Sequence, residues 1–311
     1  PDASPSHRLD CIEWHEKPAN GPESALPASP QKYTHRLDVP SGACRMKPFL
    51  KWAGGKYKII DTILSALPAA ERLVEPFVGS GAVFLNADYH SYLLADTNPD
   101  LIHLYRQVQR EGANFVDQAA GLFVPSNNTE EAYYRLREEF NQCTNAPRRA
   151  ALFVYLNRHC FNGLCRYNSK GKFNVPYGRY ARPVFPTAEI LNFHEKSQKA
   201  EFILADFRTT MASATLRDVV YCDPPYAPLT LTSNFSDYTQ EGFNAADQSE
   251  LALTALQLKQ RGIPVVISNH DTDFTRSIYA EADISGFDVQ RFISSKASQR
   301  GKAAELIAVF A

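Results

Sequence analysis

L-V-E-P-F-V-G-S-G-A-V-F-L-N, residues 73–86, is the stretch whose reading decides the fold. Leu73 to Val78 is a short apolar run of strand length. Gly79-Ser80-Gly81 interrupts it, and Ala82-Val83-Phe84-Leu85 resumes as a helical segment. A second strand, Tyr92 to Ala95, ends in Asp96. Asn98 then supplies an N-cap with Pro99 at the first helical position, opening a helix through Leu101, Ile102, Tyr105 and Val108. Strand, glycine loop, helix, strand and terminal acid together predict the start of an open α/β sheet. Gly79 and Gly81 allow a tight turn and a close backbone approach to a ligand at the helix N-terminus. Asp96 offers an acceptor for ribose hydroxyls. The full G-x-G-x-x-G pattern is missing, so on its own a structural turn explains the loop equally well. A nucleoside without a pyrophosphate needs less glycine and fits it.

Upstream, Ile59, Ile60, Ile63, Leu64 and Leu67 mark an apolar helix face. Downstream, helices are expected from Glu130 to about Asn141 and from Ala150 to His159. Cys160 to Pro186 is rich in Gly, Asn, Tyr and Arg and has little periodicity; loops of such length in a compact protein are usually functional or disordered. The alternating pattern returns with a strand Glu201–Ala205 ending at Asp206, a strand Asp218–Cys222, a helix Asn244–Gln260 and a strand Ile263–Ser268. Two last strands, Phe287–Ile293 and Glu305–Phe310, predict an antiparallel edge. The expected architecture is an α/β, Rossmann-like sheet of residues 46–99 and 190–311, interrupted by a mainly helical insertion of residues 100–189. Residues 1–45 carry seven prolines and no sustained apolar period, and read as a flexible tail or leader. Met46, just before the first organised segment, is a candidate start.

The 311 residues allow a substantial core, and 44% hydrophobic with 22% charged residues is an ordinary soluble composition. No apolar run approaches the roughly 20 residues of a membrane helix, and the polar N-terminus does not read as a signal peptide. Six cysteines without a C-x-x-C pair predict reduced thiols in a cytoplasm. His159, Cys160, Cys165 and His194 match no common ligand spacing, so no metal is expected. The net charge of −1 hides an asymmetry. Between Asn141 and Ala188 there is no Asp or Glu, while Arg148, Arg149, Arg158, Arg166, Lys170, Lys172, Arg179 and Arg182 supply eight positive charges. Such a block suits a polyanion, nucleic acid first, although a solvated face has the same composition.

Two further segments carry chemistry. In V-V-Y-C-D-P-P-Y, residues 219–226, an apolar strand meets an acid, two prolines and an aromatic ring. Proline stops the ladder and stiffens the loop, so Asp223 and Tyr226 are fixed at the strand end. A carboxylate and a backbone carbonyl there present acceptors to an exocyclic amine, with a ring beside them for stacking. A base in a duplex reaches such a pocket only if flipped out. Taken alone, the tetrapeptide is also compatible with a simple turn. In F-L-K-W-A-G-G-K-Y, residues 49–57, Trp52 can wall a pocket while Gly54 and Gly55 permit close approach beside Lys51 and Lys56. Ligand contact explains that composition better than an exposed loop does.

In order, F-L-K-W-A-G-G-K-Y, E-P-F-V-G-S-G, L-A-D-T-N, F-N-G-L-C-R-Y-N, F-N-V-P-Y-G-R-Y and Y-C-D-P-P-Y-A-P-L resemble the Dam family of DNA adenine-N6 methyltransferases (D12 class, GATC type). The resemblance runs from about Lys47 to Phe310 and implies a monomeric, S-adenosylmethionine-dependent methyltransferase acting on double-stranded DNA without a metal. It assigns cofactor contacts to Trp52, Lys56, Asp96 and Asp223, with Glu75, Phe77, Gly79 and Gly81 in the glycine loop and Phe207 beside the cofactor adenine. It makes Asp223, Pro224, Pro225 and Tyr226 catalytic: Asp223 and the Pro224 carbonyl hold the target N6 amine, and Tyr226 stacks on the flipped base. The nitrogen then attacks the sulfonium methyl directly. On the DNA side, Lys51 aligns with a residue reading the first guanine, and Arg166 with one reading the guanine opposite the last cytosine. Leu164 and Pro176 face the thymine methyl, and Arg158, Asn162, Asn168, Asn174 and Arg179 are implied to position the backbone or neighbouring bases.

Two departures stand out. Phe161 replaces a tyrosine that inserts into the duplex, keeping the ring and losing the hydroxyl, so insertion is expected to survive. Ala181 replaces a usual lysine, which weakens one phosphate contact. Two other readings stay open from sequence alone. The same chemistry could act on RNA adenine or a protein amide, though the basic insertion argues against the amide. A non-catalytic DNA-binding protein could keep the fold, though the intact Asp223–Tyr226 motif speaks against it.

Overall fold

Strand β1 (Arg72–Glu75) is shorter than the apolar run that announced it. Pro76 removes a ladder donor, so Phe77 and Val78 belong to the loop and not to the strand. The computed structural model describes residues 45–227, 243–290 and 302–311; the expected tail, apart from Arg45, lies outside the described residues. Gly79 and Gly81 take φ of +47° and +71°, and α2 (Ala82–Asn86) begins directly after them. Glycine adopts that backbone without the Cβ penalty.

β1 lies between β2 (Ser91–Asp96) and β4 (Asp218–Cys222), parallel to both, with Leu73 opposite Tyr92 on one side and Val219 on the other. β3 (Ala200–Leu204) extends the sheet beyond β2, and β5 (Val265–His270) extends it beyond β4, again in parallel. β6 (Asp283–Gln290) and β7 (Lys302–Phe310) form the antiparallel edge, giving the order β3-β2-β1-β4-β5-β7-β6. The chain order reverses between β1 and β4, and in open sheets of this kind the ligand crevice forms at the carboxyl ends of those strands. Here that point is flanked by Glu75 and Cys222.

Side chains alternate across the sheet. Leu73, Tyr92, Val219 and Tyr221 face one core, packed by α1 (Ile60–Ala66), α2, α3 (Pro99–Glu111) and α7 (Thr187–Ser197). Val74, Leu93, Val220 and Cys222 face the other, packed by α8 (Phe207–Ala212) and α9 (Ala245–Gln260). Between β2 and β3 the chain makes α3, α4 (Ala113–Ala120), α5 (Glu130–Gln142) and α6 (Ala146–His159) before α7. Helix α6 is the centre of this insert, with every residue from Ala150 to Asn157 buried. Its start precedes the expected Ala150, because the Asn145 side chain caps the Arg148 N–H at 3.0 Å and Pro147 is tolerated in a first turn. Cys160 to Pro186 is irregular, as expected, held by isolated bridges Cys160–Tyr177 and Tyr167–Phe173. A partly buried cluster ties it to the helices: Arg149 pairs with Asp100 at 2.6 Å, and the Tyr167 hydroxyl donates to Asp100 at 2.7 Å.

Four helices, α4, α7, α8 and α10 (Asp273–Ile278), have no individual expectation behind them. Asp206, expected as a strand-terminal acid, is the N-cap of α8, accepting the Thr209 N–H at 2.9 Å. The last pair of strands also starts earlier than expected, at Asp283 and Lys302; residues 291–293 of the expected Phe287–Ile293 strand lie outside the described residues. Among the described residues no helix is long and apolar enough to cross a membrane.

Candidate active site

The glycine loop after β1 is stapled by the acid after β2. The Asp96 carboxylate accepts the Gly79 N–H at 3.2 Å and the Asn98 N–H at 2.9 Å. Burial raises its pKa, and those backbone N–H groups, with that of Thr97, oppose the rise. A Cβ placed on Gly79 would stand 3.0 Å from the Trp52 indole nitrogen, so the loop and the tryptophan close on each other. Phe77 stacks on Phe207 at 5.8 Å, and Phe243 meets both rings at 5.5 Å. Glu75 is 2% exposed and its Oε1 has no hydrogen-bond partner. Burial first, and the Asp223 charge second, push its pKa well above the usual carboxylate range.

Asp223 leaves the end of β4 into a ring of partners. Lys56 Nζ lies 2.8 Å from its Oδ1, and Ser268 on β5 donates to the same oxygen at 3.1 Å. Tyr221 and Ser268 share a buried hydrogen bond of 2.9 Å behind it. Lys56 is itself buried, donates to the Gly54 carbonyl at 2.7 Å, and sits 4.3 Å from the Tyr226 ring centroid. Burial raises the Asp223 pKa, while Lys56 and then Ser268, both within hydrogen-bond distance of Oδ1, act against the rise without cancelling it. The Tyr226 ring packs edge-on against His270 at 4.7 Å. The rest of the loop is fixed from β5 and α9. Gln248 donates to the Pro225 carbonyl at 2.7 Å, Asn269 accepts the Ala227 N–H at 3.1 Å, and Asn269 donates to Gln248 at 3.0 Å. Pro224 is buried, while Pro225 is exposed.

The remaining expected residues gather around the 160–180 loop. Phe161 is 49% exposed, and its N–H donates to the Pro176 carbonyl at 2.9 Å. Asn162 has φ of +55°, and its N–H donates to the Tyr180 hydroxyl at 3.0 Å. The exposed Arg166 docks on Asn174, Nε to Oδ1 at 2.8 Å. Asn168 closes the following turn by accepting the Lys170 and Lys172 N–H groups at 3.0 Å each. Leu164 is half-buried, and Pro176 and Arg179 are exposed. Lys51 Nζ lies 3.9 Å from the Tyr180 ring centroid and 3.5 Å from the Arg158 carbonyl. Burial, then the Arg158 charge, lowers the Lys51 pKa; burial also lowers that of Arg158, whose buried Nε has no partner.

The basic stretch is less bare in space than in sequence. Arg148, Arg149, Lys172 and Arg179 pair with Glu139, Asp100, Glu138 and Glu130. Ser268, Tyr221, Gln248, Asn269 and Phe243 were not among the expected site residues, yet they touch the site. The polar run Ser268-Asn269-His270 closing an otherwise apolar strand was the available signal. Among the described residues no group of His, Cys, Asp and Glu is placed to hold a metal ion.

A switch-point crevice between a glycine loop and an acid–proline–aromatic loop defines a Rossmann-like α/β methyltransferase. The family described as D12 class N6 adenine-specific DNA methyltransferase matches residues 52–293, and the chain belongs to it. It is 52% identical to the DNA adenine methylase of Serratia marcescens over 265 residues, 85% of this chain and 98% of that one. It is similar at 52% identity to the DNA adenine methylase of Escherichia coli K12 over 264 residues, 85% of this chain and 95% of that one. A DNA adenine methylase of Vibrio cholerae is 49% identical over 267 residues, 86% of this chain and 96% of that one. Methylation of adenine N6 in DNA is therefore the activity of this enzyme.

Proposed function

We propose that the enzyme takes its methyl group from S-adenosylmethionine and transfers it to adenine within GATC in duplex DNA, as a monomer in the cytoplasm, after flipping the base out of the helix. The observation that carries this reading is the setting of Asp223: a carboxyl group facing Lys56 Nζ at 2.8 Å, on a proline-stiffened loop, with Lys56 also packed over the Tyr226 ring.

The residues present fit that cofactor. The loop closed by Asp96 and Trp52 suits a ribose, and the Phe77, Phe207 and Phe243 rings suit an adenine. The unpartnered Glu75 Oε1 is a buried acceptor suited to the amine end of such a molecule. When bound, S-adenosylmethionine supplies an electrophilic methyl on a sulfonium. Asp223 and the Pro224 carbonyl then accept the two N–H bonds of the target amine, which localises the nitrogen lone pair. Tyr226 stacks on the extruded base and offsets part of the lost base stacking. The closed loop keeps these acceptors in place before the base arrives, so little reorganisation is needed.

Residues 100–189 act as the target-recognition unit. Phe161, exposed at the tip of its turn, fills the gap the adenine leaves. Lys51 reads the first guanine and Arg166 the guanine opposite the last cytosine, with Leu164 and Pro176 against the thymine methyl. Arg158, Asn162, Asn168, Asn174 and Arg179 set the backbone.

The test is transfer of labelled methyl from S-adenosylmethionine to duplexes carrying GATC or a scrambled site. Incorporation that ignores the GATC sequence would remove the specificity claim. In parallel, Asp223→Ala should abolish transfer and leave most DNA affinity; persistent transfer would mean another group holds the amine.

A further inference from the structure

Asn157 is a polar side chain in the last turn of α6 with 2% exposure, and no role in cofactor, base or phosphate recognition falls to it. Burying an amide costs free energy unless its hydrogen bonds are made. Those of Asn157 are made to backbone groups, two of them on Lys51, far away in sequence. Its Oδ1 accepts the Lys51 N–H at 2.9 Å, and its Nδ2 donates to the Lys51 carbonyl at 2.7 Å. The same Nδ2 donates to the Gly163 carbonyl at 3.2 Å. The amide thus makes with Lys51 the pair of bonds that a neighbouring strand residue would make. Gly163 completes the junction: its φ is +64°, and a Cβ there would stand 2.3 Å from the Lys51 Cβ.

We infer that Asn157 is a specificity-determining positioning residue, which fixes the Lys51 backbone against the Phe161–Leu164 turn and so sets where the Lys51 ammonium meets the first base pair. The inference rests on Lys51 being the reader of that pair. Arg166 is held independently, by Asn174 at 2.8 Å, and has no bond to Asn157. Loosening Asn157 therefore affects one end of the recognised sequence and spares the other. Only an amide supplies one acceptor and two donors at this place. A carboxylate would face two backbone carbonyls, and a hydroxyl is too short to reach all three groups.

The experiment uses hemimethylated duplexes, so that a single adenine is available and the two ends of the site are distinguishable. kcat/KM is measured on GATC, on a site with the first base pair replaced, and on one with the last replaced. Each discrimination is a ratio of two rates on one preparation, and so does not depend on the fraction folded. Asn157→Asp and Asn157→Ser should each lower first-position discrimination about tenfold and leave last-position discrimination unchanged. Gly163→Ala, which acts on the same junction from the opposite side, should do likewise. Equal loss at both positions, or no loss at the first, overturns the inference. Lys51→Ala separates the two levels. If it lowers first-position discrimination and the Asn157 variants do not, the inference alone falls. If Lys51→Ala leaves that discrimination intact, the reading of Lys51 falls and the inference with it.

Discussion

At Asp223 two opposing influences meet. Burial favours the neutral acid, whereas Lys56 at 2.8 Å and Ser268 at 3.1 Å favour the carboxylate that the proposed chemistry needs. Lys56 is the larger of the two counterweights, but Ser268 is the one that also restrains direction, because its own oxygen is fixed by Tyr221 at 2.9 Å. Hydrogen bonds to charged groups are worth about 1.5–3 kcal/mol, so losing this donor should matter without being fatal. Ser268→Ala is expected to lower kcat about tenfold with DNA affinity unchanged. Its pH profile gives the sign. Ser268 acts to lower the Asp223 pKa, so its removal raises that pKa, and the acid limb of the kcat profile should move to higher pH. A limb that stays in place, or moves down, would mean that Ser268 only fills space. Steady-state kinetics across pH on both proteins decides it.

Helix α6 shows what an element adds that its residues do not. His159 closes it with 1% exposure, its Nδ1 at 2.8 Å from the Tyr155 carbonyl and its ring stacked on Tyr155 at 4.0 Å. Burial lowers its pKa to about 4, with Lys51 and Arg158 adding to the effect. A depressed histidine binds fewer protons folded than unfolded, so the stability it contributes is complete above pH 6.5 and is lost as pH falls toward 4. Between pH 6.5 and 4.5 the melting temperature of the parent enzyme should fall further than that of His159→Phe, by an amount on the order of 5 °C. Parallel curves would place the acid sensitivity elsewhere.

The same helix marks the limits of sequence reading. Its apolar run was legible but its start was not, since Asn145 and Pro147 are cap signals rather than periodic ones. Helices α8 and α10 have six residues each, too few to display a 3.6-residue period. The start of β6, Asp283-Ile284-Ser285-Gly286, is extended because β7 pairs with it, not because of its composition. The glycine loop and the Asp223 loop were legible because glycine and proline constrain the backbone locally. Ser268, Gln248 and Asn269 were not, because their importance depends on which strand and helix lie next to β4.

Across the whole molecule, the charge asymmetry that first pointed to nucleic acid has to be counted in space. Four of the eight cations between Asn141 and Ala188 are matched by acids from α3 and α5. Arg158, Arg166, Lys170 and Arg182 have no ion pair among the described residues. A cation already neutralised by an acid releases fewer counterions from DNA than an unmatched one, even where the pair itself adds little stability. The salt dependence of binding should separate the two kinds. The slope of log K against log salt changes by about 0.9 for each phosphate that the protein ceases to neutralise. Lys170→Gln, on the exposed turn beside Arg166 and Asn174, should make the slope shallower by about one. Arg148→Gln, which removes the partner of Glu139 at 2.7 Å, should leave it unchanged or make it shallower by much less. Titrations of one duplex at several salt concentrations, with parent and both variants, give the comparison directly. Equal changes for the two substitutions would show that the ion pairs open on binding and that sequence charge alone governs the attraction. A change at Arg148 with none at Lys170 would place the DNA path on the α5–α6 side of the insertion, away from the 160–180 loop.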